Sequence, residues 1–156
     1  MINDRVDAIA AALHISVTAA RRYMDAEALD GLADTMVGLL ADEQPGVDLM
    51  SQPRDVAIPG PVMGRTTAGL AEAIQIYVEH DSTSETGQDQ IRSLAQALSL
   101  LGQFMTESAE LPTRVPKALV ARVASQLERA ARVPEASTEL AAAFSRDAMR
   151  LRSLGD

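Results

Sequence analysis

Apolar and small residues recur at helical spacing through most of this chain, and breaks in that spacing divide it. Near the N-terminus Ile9, Ala10 and Leu13 mark one helical run, with Asn3 or Asp4 as its N-cap, and Ala20 and Tyr23 mark a second. The residues between them, His14-Ile15-Ser16-Val17, read as a turn, and His is among the few non-glycine residues that tolerate a left-handed turn conformation. Ser16 or Thr18 can cap the second run, which extends to about Ala28. Asp30-Gly31 interrupts the pattern. A third helix follows with Leu32, Met36, Leu39 and Leu40 on one stripe.

Residues 44–65 break the pattern differently, with four of the seven prolines and three of the nine glycines. They read as an extended arm or linker, with strand character only at residues 56–58. The arm is also apolar (Val47, Leu49, Met50, Val56, Ile58, Val62 and Met63), so it is expected to lie along a surface of its own domain or of a second subunit. Helical spacing returns after Thr66-Thr67, a candidate cap, with Leu70, Ala73, Ile74, Tyr77 and Val78. A polar loop is expected over residues 80–89. Next comes a long helix from Gly87 to Met105, with Ile91, Leu94, Ala95, Leu98, Leu101 and Met105 on its buried side. Pro112 and Pro116 bracket a turn. A helix to about Arg132 then presents Leu119, Val120, Val123 and Leu127. After Pro134, a last helix starts near Glu135 or Ser137 with Leu140, Ala143, Phe144, Met149 and Leu151. No internal repeat of fixed period is visible.

The expectation is an all-α protein with an N-terminal tri-helical helix-turn-helix head (residues 1–43), a Pro/Gly-rich arm (44–65) and a four-helix bundle-like body (66–156) for oligomerisation or partner binding. Composition agrees: 47% of the residues are hydrophobic and 23% charged, which suffices for a packed core. Two Phe, two Tyr and no Trp argue against stacking platforms for single-stranded nucleic acid. The absence of cysteine removes disulfides, thiolate metal sites and thiol nucleophiles. No secretory signal and no apolar run long enough for a bilayer are visible, so a cytoplasmic location off the membrane is expected.

Candidate chemistry centres on residues 6–25. In a helix-turn-helix the second helix enters the DNA major groove, which here places Ser16, Val17, Thr18, Arg21 and Arg22 at the DNA. Arginine suits bidentate guanine recognition, and hydroxyls at a helix start suit phosphates. The stretch IAAALHISVTAARRYMD resembles the broad helix-turn-helix class of bacterial transcription regulators. That resemblance covers about a fifth of the chain and singles out no family within the class. It implies base reading by Val17, Thr18, Arg21 and Arg22, and departs from the class in having His14 at the turn and Asp25, Glu27 and Asp30 nearby. Two such heads in a homodimer would read half-sites of double-stranded DNA about one helical turn (~34 Å) apart.

Charge complicates this expectation. The net charge is −8, yet residues 114–156 hold eight Lys+Arg against five Asp+Glu, whereas residues 66–113 hold one against seven. In the basic set, Arg122, Arg129 and Arg132 have spacings that allow one helical face, and Arg146 and Arg150 are four residues apart, with Lys117 and Arg152 nearby. Such a set reads as a second DNA-backbone contact, as a docking face for an acidic surface or as ordinary solvated helix faces. The net charge and the apolar arm keep an alternative open: a non-enzymatic protein-interaction or assembly module, antitoxin-like or an adaptor, in which the helix-turn-helix is only a packing unit. A ring-forming assembly factor such as a phage packaging subunit is a third reading.

Catalysis finds no support. There is no Gly-rich phosphate loop, nucleophile elbow or metal-ligand spacing, and Glu72, Glu79, Asp81 and Asp89 are expected on exposed faces or in loops. His80, between Glu79 and Asp81, reads as a helix-end residue complementing the dipole. No catalytic residue, metal or cofactor is expected.

Overall fold

The computed structural model describes residues 14, 15, 18, 52–81, 83–107 and 112–155. These form β1 (Val56–Ile58), α1 (Gly60–Asp81), α2 (Glu85–Glu107), β2 (Thr113–Val115), α3 (Lys117–Ala130) and α4 (Thr138–Gly155). The fold is predominantly helical, as expected, with one short two-stranded sheet added.

The sheet is antiparallel, with Val56 opposite Val115 and Ile58 opposite Thr113. These four residues are buried, while Ala57 is half-buried and Arg114 exposed, so one face of the pair belongs to the core. Three-residue strands are marginal by themselves. Packing of β2 against α2 and of β1 against α4 holds them in place.

The arm ends earlier than the proline content suggests. The Pro59 carbonyl accepts from the Met63 amide at 2.9 Å, so Gly60 and Pro61 form the first turn of α1 and residues 60–65 are helical. Proline is tolerated there because amides of the first turn have no intrahelical acceptor. Thr66 and Thr67 are therefore interior rather than capping. Their hydroxyls donate to the carbonyls of Val62 (2.7 Å) and Gly64 (2.9 Å).

Hydroxyls cap two other helices. Ser84 Oγ accepts from the Gly87 amide at 2.9 Å, which starts α2 inside the expected polar loop. Ser137 Oγ accepts from the Leu140 amide at 3.1 Å and starts α4.

α1 and α2 form one helical hairpin and α3 and α4 a second, and α1 lies against both α3 and α4. That central position explains why α1 is apolar on almost all sides, with Leu70, Ala71, Ala73, Ile74 and Tyr77 buried together. On α4 the buried line is Phe144, Ala148 and Leu151, whereas Met149, expected on the apolar stripe, is 72% exposed. One residue along a helix is a turn of about 100°, so Ala148 and Met149 cannot share a face.

The body is also built twice. A strand, a proline and a helical hairpin occur as β1–Pro59–α1–α2 and again as β2–Pro116–α3–α4. At the same offset of 57 residues set by the two prolines, Arg65, Leu70 and Ala73 recur as Arg122, Leu127 and Ala130, and Leu70, Ala73, Leu127 and Ala130 are all buried. So few identities over such a length are not visible as a sequence period.

Candidate functional site

Between α1 and α4 runs an open groove of about 660 Å³. Its apolar floor comes from Ala68, Gly69 and Ile76 on α1 and from Leu140, Ala143 and Phe144 on α4. Gly69 brings the helices together. A Cβ placed on it would lie 3.2 Å from Leu127 Cδ2, 3.6 Å from Asp147 Oδ2 and 3.9 Å from Phe144 Cδ1.

Charged groups line the groove above this floor. α1 contributes Arg65, Glu72 and Glu79, and Glu79 Oε1 accepts from Gln75 Nε2 at 3.4 Å. α4 contributes Glu139, Arg146 and Asp147. Burial pushes the Glu72 carboxyl above its ordinary value, and the Asp147 charge pushes it the same way. Burial also raises Asp147, against the opposing pull of Arg150, Arg146 and Arg65. The pair thus comprises two half-buried carboxyls whose ionised forms are disfavoured, and a cation seated beside them would relieve both.

Sequence reasoning did not find this pair. Glu72 was expected on an exposed face, yet it is half-buried. The two acids lie on helices from opposite halves of the body, so no local spacing connects them. Raised carboxyls in a cleft also mark candidate catalytic sites, and Ser137, in the same lining, caps α4.

Of the residues expected at DNA, Ser16, Val17, Arg21 and Arg22 lie outside the described residues, as does most of the head assigned to residues 1–43. Thr18 is helical and exposed, and its hydroxyl donates to the His14 carbonyl at 2.8 Å, whereas an N-cap hydroxyl accepts. His14 and Ile15, expected in the turn, are also helical.

Of the basic set, Arg122 and Arg129, seven residues apart on α3, share a face, but the rest are spread over α3, its C-terminal flank and α4. Arg122 Nη2 donates to Gln96 Oε1 at 2.7 Å, beside Gln126, whose Nε2 donates to Ser93 Oγ at 2.7 Å, so both residues tie α3 to α2. Arg152 pairs with Glu128 and donates to Ser125 Oγ at 3.1 Å, tying α4 to α3. Arg146 and Arg150 stand beside Asp147, and Arg132 lies beyond the end of α3.

Among the described residues no group of three or more His, Cys, Asp or Glu is placed to hold a metal ion, and no helix is long and apolar enough to cross a membrane. His80 stands in the last turn of α1, with Nε2 3.9 Å from Glu79 Oε2. No protein-family model matches this chain, and no curated protein or solved structure is detectably similar to it.

Proposed function

We propose that this chain is a non-enzymatic, cytoplasmic DNA-binding regulator that reads a half-site through the second helix of its N-terminal head and acts as a homodimer. What supports the reading is the apolar spacing of residues 6–25, which the sequence alone reads as two short helical runs with Arg21-Arg22 on the second. Of the residues expected in the turn between them, His14 and Ile15 are helical. Adjacent helical residues diverge by about 100°, so one arginine suits a base edge and the other a phosphate. In the body, Arg122 and Arg152 bridge helices and Arg65, Arg146 and Arg150 act on Asp147, whereas Arg114, Lys117, Arg129 and Arg132 are exposed and could add backbone contacts to those of the head.

The test is fluorescence anisotropy of the full chain with double-stranded DNA from upstream of its own gene, titrated from low to physiological salt against a random duplex. Sequence-preferring binding that weakens steeply with salt is expected. Arg21→Ala and Arg22→Ala should each weaken it, one chiefly by relaxing specificity and the other chiefly by reducing the salt slope. Absence of binding even at low salt would refute the proposal.

A further inference from the structure

The geometry points to a docking function for the groove between α1 and α4, whose occupant is a basic amphipathic helix of a partner protein. This goes beyond DNA reading by the head and holds whether or not the head binds DNA. Three observations carry it.

The first is shape. On α1 the lining extends from Arg65 to Glu79, which is about 21 Å of helix at 1.5 Å per residue. An open trough of that length beside two helices matches a helix of about 14 residues better than a compact small molecule.

Chemistry is the second. The floor is apolar, and the lining carries four carboxylates against two guanidiniums. A helix with one apolar face and lysines or arginines beside it complements both features.

The third is direction. A Cβ on Gly69 would lie 3.6 Å from Asp147 Oδ2, so the C-terminal part of the α4 lining lies beside the N-terminal part of the α1 lining. Glu79 and Glu139 therefore fall toward the other end of the groove. The mixed end holds Arg65 and Arg146 with Asp147, and the far end is purely acidic. An occupant with its cations at its centre and at one end fits in one orientation only.

The probe is a labelled peptide of about 14 residues made of Leu and Lys, with Leu at positions i, i+3, i+4 and i+7. Two comparison peptides are a scrambled sequence of equal composition and a version with Glu in place of Lys. Anisotropy with the full chain should give micromolar binding of the amphipathic basic peptide and at least tenfold weaker binding of both comparisons. The double variant Glu72→Gln with Asp147→Asn should weaken binding about tenfold. An equal charge change on exposed α2 positions, Glu85→Gln with Asp89→Asn, should alter it less than twofold. Amide chemical-shift changes in the unmodified chain should concentrate in residues 65–79 and 137–147.

Equal binding of the scrambled peptide, equal loss in both double variants, or shift changes spread over the acidic surface would overturn the proposal in favour of diffuse charge attraction. Full displacement by spermidine at matched charge would do the same. No binding at low salt would overturn it outright.

Discussion

Gly69 is where α1 gives up a side chain so that α3 and α4 can reach it. A methyl group there would stand 3.2 Å from a terminal carbon of Leu127, which is fully buried and has little room to retreat. Alanine ordinarily gains about 1 kcal/mol over glycine inside a helix. Gly69→Ala should therefore come out near neutral, because the gain is spent on displacing Leu127. Gly69→Leu should destabilise by about 1–3 kcal/mol through overpacking. Urea unfolding of both variants distinguishes these outcomes; a Gly69→Ala variant fully 1 kcal/mol more stable would show that Leu127 moves freely.

Glu72 and Asp147 make stability depend on pH in a specific direction. Both carboxyls are raised in the folded protein, chiefly by burial, so the folded state holds their protons more tightly than the unfolded chain does. Their ionisation therefore opposes folding at neutral pH. Protonation relieves that opposition as the pH falls through the raised values toward the ordinary carboxylate range near pH 4. Glu128 works the other way: hydrogen bonding to Arg152 lowers it, so its contribution is present above the ordinary range and is lost only at more acidic pH. The melting temperature should thus rise as the pH falls from 7 toward the ordinary carboxylate range near pH 4 in the unmodified chain. In the Glu72→Gln, Asp147→Asn double variant it should start higher and change less over the same interval. A flat profile in the unmodified chain would contradict the assignment.

At the scale of elements, the caps and the paired strands set where each helix begins. Ser84 and Ser137 each accept a backbone amide at the head of a long helix. Ser84→Ala and Ser137→Ala should each cost about 1 kcal/mol in urea unfolding, and the two losses should add because the caps start different helices. Fully buried Ile58 anchors β1, and Ile58→Ala should cost about 2–5 kcal/mol. The same elements show what the pattern of residues reveals. α2, α3 and α4 are readable from apolar spacing because each buries one stripe. The start of α1 is not, since prolines that open a helix and prolines that break one look alike until the Pro59–Met63 hydrogen bond is seen. β2 was hidden between Pro112 and Pro116 because three residues are too few to display an alternation. The groove was hidden for a different reason: Glu72 and Asp147 become neighbours only when the two hairpins pack.

The whole body is two strand–proline–hairpin units closed around a shared core, and neither unit is complete alone. α1 is buried on nearly every side, and a large part of that cover comes from α3 and α4 rather than from its own hairpin. β1 likewise has β2 as its hydrogen-bonded neighbour in the sheet. Removing residues 112–156 would uncover the Gly69 contact surface, leave β1 without its ladder and expose Ile58 and Leu70 together. An isolated helical hairpin with that much apolar surface in water lacks the burial that offsets the ordering of its chain. A chain ending at residue 111 should therefore show no cooperative thermal transition and should aggregate or bind an apolar dye. Adding residues 112–156 as a separate chain should restore helical circular dichroism and cooperativity, because the β1–β2 ladder and the α1–α4 contact form between the two halves. A cooperative melt of the truncated chain by itself would show instead that the first unit is a self-sufficient domain and that the second is an addition to it.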